Sequence, residues 1–585
     1  MASIRHRLGD GAERLPAQSP RVSQMSGKDL AIANKQMLVT ANPFECSSWE
    51  VWVSWCWGAC VRTQWLVQSQ GGSWKLLSEN VGIASMHTAV THYGSVIMLD
   101  RTNIGPSNIT LPHGRCRNNP KDLVLPRDCY AHSVEFFPKS GRVRPLYIWS
   151  DTWCSSGQFG ADGTLVHTGG DYDGIRRIRR FVPCPESNGT CDWKEDKKPQ
   201  LYAERWYASN QLLPDGTFIV VGGRSEFTVE FVPPRPGNAT YLPLLEQVDD
   251  YQGDNMYPFV HLLPDGNLFI FANRDSIVYD YRKNVTRRRF PRIPGTPRCY
   301  PSAGSSVLLP LRASDGFRQV EILVCGGAQL GAWAYPEELL DAAQDCGRLL
   351  VSDPDADWVM ETMPIRRAMG DMVLLPNQHV TIINGASRGS QGWGFAEDPV
   401  LYPVDYDPRS PPGSRFAVMS PTVVPRMYHS TANLLPDGGV LVAGSNTHHF
   451  YTFNETYNTE LRVEQFRPEY MSSELDFLRP AIVDFPKAVG YGESFSVAVV
   501  LPSAPHHDIE LVLLSSPFTT HSFSQGQRMI SLAVEPPLLV DASSGLYHVT
   551  CTSPPTGEIA PAAYYMLFAL NYEVPGEAVW VQIVP

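Results

Sequence analysis

Cys154, Tyr207 and His429 differ in chemistry but share an address. Each lies eight residues ahead of the aspartate of a glycine-containing turn: Asp162 in GADGTLVHTGG, Asp215 in LLPDGTFIVVGG and Asp437 in LLPDGGVLVAGS. Tyr428 immediately precedes His429. A thiol, two phenols and an imidazole suit a transition metal better than hydrolysis, which needs an activated serine or cysteine beside a base. The chain contains no HExxH or CxxC pattern. Imidazole and phenolate with open positions favour Cu(II), whose tetragonal preference accepts mixed nitrogen and oxygen ligands. One imidazole is too few for such a site, so a second must come from elsewhere in the chain. Taken singly, each residue also has an ordinary reading, as a buried thiol, a strand aromatic or a core histidine. The shared address is what favours the chemical one.

That address recurs because the turn recurs. An apolar strand, a turn and a second apolar strand repeat with turns at Gly94, Asp162, Asp215, Asp265, Asp315, Asn377 and Asp437, in steps of 68, 53, 50, 50, 62 and 60 residues. The period is close to the ~50 residues of a kelch repeat, in which each unit is one four-stranded blade. Asp-Gly between β-rich runs marks a hairpin, since glycine supplies the positive φ the turn needs. These observations predict an all-β chain with a seven-bladed β-propeller over residues 71–475. Residues in one slot of successive blades then form a ring at one end of the channel, with Cys154 and Tyr207 on adjacent blades. The same count reaches Tyr257 and Met369, predicting an aromatic-lined mouth. Tyr428 falls on the other face of its strand or at the strand entrance. From residue 476 the repeat gives way to short alternating strands (SFSVAVVL, IELVLLSS, AYYMLFAL), read as an immunoglobulin-like β-sandwich over 476–585.

Composition narrows the partners. The formal charge is −12 and the longest unbroken basic run is Arg287, Arg288 and Arg289, so nothing resembles a nucleic-acid footprint. Among twelve cysteines, Cys116/Cys129, Cys184/Cys191 and Cys325/Cys346 have spacings that suit disulfides, and a thioether at Cys154 would leave an odd number for pairing. Sequons at Asn108, Asn188, Asn238, Asn284 and Asn454 point the same way, to an extracellular, secreted protein. Residues 1–70 read as an atypical leader without a clear signal peptide. The apolar run at 51–60 is too short for an integral membrane span. The paired histidines His448/His449 and His506/His507 sit in polar stretches and are read as loop residues, not ligands.

Five segments taken in order carry a family resemblance: WCSSGQFGADGTLVHTGGD, ERWYASNQLLPDGTFIVVGG, MYPFVHLLPDGNLFIFANRDS, RMYHSTANLLPDGGVLVAGSN and TTHSFSQGQRM. From about Gly71 onward the chain resembles the copper radical oxidases, glyoxal oxidase and galactose oxidase, and most of all the plant glyoxal oxidase-like proteins. The resemblance implies that a loop of the sandwich brings His521 into the axial channel as the second imidazole. It implies that Tyr207, joined by a thioether to Cys154, is an equatorial copper ligand and the radical, that Tyr428 is the axial ligand and proton acceptor, and that His429 and His521 complete the Cu(II) site. The implied reaction turns a small aldehyde of the glyoxal or methylglyoxal type into a carboxylic acid while O2 becomes H2O2. One departure bears on substrate. Galactose oxidase stacks a tryptophan on its cross-linked tyrosine shortly after a Gly-Gly, where this chain has Ser225, with Phe227 a candidate substitute. The alternatives are a primary-alcohol or galactose-type oxidase using the same site, and a non-catalytic kelch scaffold that binds glycans or proteins. The expected partners are substrate and O2, with a peroxidase downstream and the oxidase itself a monomer.

Overall fold

A computed structural model describes residues 71–585 except 196, 199, 238 and 506–508. The leader at 1–70, His506/His507 and Asn238 therefore lie outside the described residues. The chain is all-β, and its local hydrogen bonding follows the repeat. In four of the predicted turns the aspartate Oδ1 accepts from the backbone N–H two residues on, at 3.0 Å for Asp162, Asp215 and Asp437 and 2.9 Å for Asp265. The following glycines have φ near 80° (Gly163 78°, Gly216 78°, Gly266 78°, Gly438 89°), which glycine adopts without a Cβ clash.

Seven four-stranded antiparallel units result. They begin, in chain order, at His87–Val90, Ser156–Phe159, Ser209–Leu212, Phe259–Leu262, Ser305–Leu308, Asp371–Leu374 and Ser430–Leu434. Each first strand touches the first strand of the next unit from the second unit through the seventh, and the seventh touches the first. The seventh unit has only three strands of its own; Ser73–Ser78, from the start of the described chain, completes it by pairing with Val463–Arg467, Trp74 opposite Phe466.

The C-terminal part forms two more sheets. One contains Glu510–Ser515, Ala563–Asn571 and Val579–Val584, the other Ser494–Val500 and Leu546–Thr552. Alternation decides what each face meets. Leu511, Leu513, Leu567 and Ala569 face Val497, Val499 and Val549 of the second sheet, while Val512, Leu514, Met566 and Phe568 pack on Val373, Leu434 and Val440 of the repeat. Both faces of that strand pair are buried, which fixes this part to the repeat.

One hairpin crosses between the two parts. Phe518–Thr520 pairs with His87–Val90 of the first unit (His87 opposite Thr520, Ala89 opposite Phe518) and returns as Phe523–Gln525. Side chains bind it to other units. Gln525 Oε1 accepts from the Asn210 N–H at 2.9 Å, Gln527 Oε1 from the Leu374 N–H at 2.7 Å, and Thr519 Oγ1 donates to Asn433 Oδ1 at 3.2 Å. His521 and Ser522 form its tip, with φ of 46° and 70°.

The three predicted disulfides are present, and the free cysteines among the described residues are Cys154, Cys299 and Cys551, all buried. The four described sequon asparagines are exposed. No helix among the described residues is long and apolar enough to cross a membrane.

Candidate metal centre

The shared address is a distinct backbone conformation. Cys154, Tyr207, Tyr257, Met369 and His429 all have positive φ, between 47° and 65°. Each lies one or two residues ahead of the first strand of its unit. They are chained through the backbone: the Tyr207 N–H donates to Cys154 O at 2.9 Å and the Tyr257 N–H to Tyr207 O at 2.8 Å. Ala303, with φ 44°, fills the slot in the fifth unit and accepts from the Met369 N–H at 2.8 Å. Left-handed backbone is costly for residues with a Cβ and concentrates at functional sites. Here it turns five side chains of different units into one buried cluster.

Tyr428 sits at the entrance of its strand, one residue before His429 and stacked on it, with ring centroids 3.8 Å apart. The hairpin tip brings in His521. The side chains of Cys154, Tyr207, Tyr428, His429 and His521 are all nearly sealed from solvent, none more than 4% exposed. Ligand atoms of Cys154, His429 and His521 lie within 4.8 Å of one another, and Cys154 Sγ is 3.3 Å from His521 Nε2. Tyr207 hydrogen-bonds the Cys154 thiol, partly offsetting the burial that pushes the thiol's pKa up.

Imidazole tautomers follow from a relay outside the cluster. His87 Nε2 is 3.1 Å from the Thr152 carbonyl, which can only accept, so Nε2–H donates and Nδ1 is left as an acceptor. Nδ1 accepts from the Thr520 hydroxyl at 2.8 Å, and Thr520 Oγ1 in turn accepts from His521 Nδ1–H at 2.6 Å. The His521 Nε2 lone pair is thereby directed into the cluster, the usual way an outer partner orients a metal-binding histidine. His429 Nε2 is buried without any hydrogen-bond partner, an arrangement that costs free energy unless a ligand completes it. Burial holds the pKa of both histidines well below the usual range, so both stay neutral and able to ligate. Burial pushes Tyr207 and Tyr428 well above 10, so a phenolate at either position requires a nearby cation. Two imidazole nitrogens and two phenol oxygens meet the donor preference of Cu(II), and these side chains fit it.

Tyr300 lies outside the shared address and occupies the middle of the site. Its ring stacks on Tyr207 (centroids 4.4 Å apart, planes at 27°), and its hydroxyl is 3.2 Å from both the Tyr207 and Tyr428 hydroxyls. Trp206 adds a tilted contact at 4.8 Å. Phe227 does not cover Tyr207. It packs instead against the core of Leu213, Ile219 and Leu245. Trp153 and Trp393 stack at 5.4 Å, and His449, exposed as expected for a loop residue, lies on Trp393 at 4.2 Å. Trp153 and Trp206 are visible in the sequence as neighbours of the slot residues. Tyr300 and Trp393 come from loops whose course the repeat does not dictate.

An all-β repeat that gathers a buried nitrogen, oxygen and sulfur donor set has the side chains to hold a metal ion. Residues 86–470 match the family model described as Glyoxal oxidase N-terminus, and 479–583 that of the Galactose oxidase-like, Early set domain. The chain belongs to the glyoxal oxidase family. It is 53% identical over 514 residues to a protein named aldehyde oxidase GLOX from Vitis pseudoreticulata, covering 88% of this chain and 97% of that one. It is 41% identical over 530 residues to aldehyde oxidase GLOX1 of Arabidopsis thaliana, covering 88% and 85%. Its fold resembles that of a fungal alcohol oxidase of the AA5 family solved in complex with copper, with a TM-score of 0.65 at 17% identity, covering 88% of this chain and all of the other.

Proposed function

We propose that the protein is a copper radical oxidase that converts small aldehydes to carboxylic acids, with the balance RCHO + H2O + O2 → RCOOH + H2O2. The observation that carries this reading is the convergence of Cys154, Tyr207, Tyr428, His429 and His521, drawn from three repeat units and one inserted hairpin, into one buried cluster. The two aldehyde oxidases with which the chain shares 53% and 41% identity support it.

In this reading Tyr207, Tyr428, His429 and His521 hold copper, and Cys154 forms a thioether with Tyr207. When bound, copper together with oxidised Tyr207 supplies two one-electron equivalents, which match a two-electron oxidation. The chain's own contribution is placement. Tyr428 accepts the proton of the aldehyde hydrate at its phenol oxygen, a general-base step. The relay from Thr152 through His87 and Thr520 holds His521 in register. Tyr300 and Trp206 cover the Tyr207 ring and keep bulk water from it, the part a tryptophan near position 225 would otherwise take.

The seven units are read as a seven-bladed propeller over 71–475, followed by an immunoglobulin-like sandwich over 476–585. Four strands per unit and the succession of touching first strands support this. Three disulfides and exposed sequons support an extracellular location. The test is oxygen-dependent peroxide release from copper-loaded, oxidant-activated protein on glyoxal and methylglyoxal, with Tyr207→Phe in parallel. Peroxide that disappears in the variant is the expected result; peroxide undiminished by it would remove Tyr207 from the mechanism.

A further inference from the structure

A second cation lies close to this cluster, and its charge is only partly answered. Arg101 is 1% exposed. Its guanidinium lies against a stacked pair of indoles, 4.7 Å from the centre of Trp153 and 5.0 Å from that of Trp393. Several arginines equally buried in the repeat have a carboxylate at hand: Arg205 pairs with Glu230 at 2.7 Å, Arg298 with Asp345 at 2.6 Å and Arg426 with Glu464 at 2.9 Å, whereas Arg367, like Arg101, has none among the described residues. Among the described residues Arg101 makes no ion pair. Its Nη2 donates to the His449 carbonyl and lies 3.1 Å from His449 Nδ1, and its Nε is buried without a partner.

Asp100 and Asp151 feel its charge, but neither forms an ion pair with it. Asp100 accepts from the Arg101 N–H at 2.7 Å and from the Tyr451 hydroxyl at 2.5 Å. Asp151 Oδ1 accepts from the Thr102 N–H at 2.9 Å and its hydroxyl at 3.2 Å, leaving Oδ2 unpaired. The indole N–H groups of Trp153 and Trp393 beside the guanidinium, and of Trp206 next to Trp153, are also buried and without partners. Unsatisfied buried donors are rare in folded proteins, and here Arg101 Nε and two indole N–H groups against it are joined by a third on Trp206, which packs on Trp153 at 5.1 Å. Trp153 precedes Cys154 and packs in one cluster with Tyr207, Tyr300 and Tyr428, so these donors border the candidate metal centre.

We propose that Arg101, with the indole N–H groups around it, anchors a small carboxylate beside the copper ligands and so selects aldehydes that bear a carboxylate next to the carbonyl. The proposal rests on the oxidase reading above and names its substrate class. A guanidinium presents a planar fork that matches a carboxylate, and in an apolar setting a charge-assisted bond of this kind is strong. Every turnover on a neutral aldehyde would also leave a carboxylate next to the same group, so the site has two sources of one ligand chemistry: an anionic substrate and the acid product.

The experiment uses glyoxylate as the anionic aldehyde, methylglyoxal as the neutral one and pyruvate as the acid that methylglyoxal yields. Arg101→Gln is expected to raise KM for glyoxylate roughly 10- to 100-fold, the value of one charged hydrogen bond, with KM for methylglyoxal changed less than about threefold. Arg101→Lys should recover part of the loss. Pyruvate inhibition that weakens in Arg101→Gln while KM for glyoxylate holds would assign the site to product and overturn the selection of anionic substrates. In copper-free protein, glyoxylate should alter tryptophan fluorescence saturably through Trp153 and Trp393, and the signal should vanish in Arg101→Gln. If Arg101→Gln does not fold, Asp151→Asn serves instead: it withdraws the competing carboxylate, and glyoxylate should bind more tightly. Equal losses on both aldehydes, or no saturable fluorescence change, would overturn the proposal. Saturable binding without peroxide from any aldehyde would retain the carboxylate site and remove the oxidase reading.

Discussion

At the scale of single residues, the five clustered side chains depend on one another through burial. A thiol pushed up in pKa by burial is a poor nucleophile and a poor thiolate ligand, so Cys154 serves best as a partner of the Tyr207 ring. Cys154→Ala removes one small buried group in contact with the cluster and should cost only about 1–2 kcal/mol of stability. The variant should lose the cross-linked Cys154–Tyr207 peptide in a mass map of the digest, and its peroxide output should fall to background. Normal turnover without the link would show that the thioether is dispensable. Tyr428→Phe makes a different cut, because the ring that stacks on His429 stays and the hydroxyl goes. Turnover should drop by about 10²- to 10⁴-fold, the usual contribution of a placed acid–base group, while copper content by metal analysis stays near that of the parent. Loss of copper in that variant would make Tyr428 chiefly a ligand. The positions of Cys154, Tyr207 and His429 were legible because they share one offset from a turn, Tyr428 because it adjoins His429, while His521 came only from the family resemblance. Tyr300 was not readable, since it precedes its own slot residue Ala303 by three and nothing in the repeat marks it.

At the scale of elements, two devices hold the centre in place. The first is the hairpin around His521, fixed through Gln525 and Gln527 to backbone groups of the third and sixth units. Gln525→Ala leaves the Asn210 N–H without its acceptor and loosens the hairpin tip without touching any proposed ligand. Copper affinity, measured by competition with a chelator, should weaken by about 10- to 100-fold, as for other outer partners of metal ligands. Unchanged affinity would mean that strand pairing with His87–Val90 is sufficient. The second device is a repeated arginine. Arg205, Arg298, Arg367 and Arg426 are buried just ahead of the slot, and each donates to a carbonyl at the end of its unit's second strand: Gly222, Gly326, Asn384 and Gly444. Arg205→Ala strands the buried Glu230 and should lower stability by about 3–5 kcal/mol in a denaturant titration. The turns and strands of each unit were legible because Asp-Gly and alternating apolar runs are local signals. The arginines sit at slightly different offsets, two, five, two and three residues before the slot, so a fixed count does not find them.

At the scale of the whole molecule, the same burial that shapes the site makes stability depend on pH in two opposing ways. His261, far from the candidate ligands in sequence and hydrogen-bonded to Ser306 Oγ at 2.9 Å, has its pKa lowered to about 3 by burial, with the charge of Arg528 adding to it. The unfolded imidazole takes up a proton below about 6.5 and the folded one does not, so its contribution is present above 6.5 and is lost as pH falls toward 3. Asp371 has the opposite sign. Burial raises its carboxyl to about 8 against the hydrogen bond from Asn384 at 2.8 Å and the nearby charge of Arg367. The folded carboxyl keeps its proton where the unfolded one has released it, so stability is lost as pH rises from about 4 toward 8. His261→Gln should therefore gain stability relative to the parent as pH falls, by about 2 kcal/mol between pH 7 and 5. Asp371→Asn should gain relative to the parent as pH rises over the same interval. Chemical denaturation at pH 5, 6 and 7 decides both at once: two difference curves of opposite slope are expected. A flat line for His261→Gln would mean that water enters the core around the fourth unit and lets the imidazole charge. The optimum then lies where buried histidines and buried carboxyls balance, and both families are set by how tightly neighbouring repeat units pack.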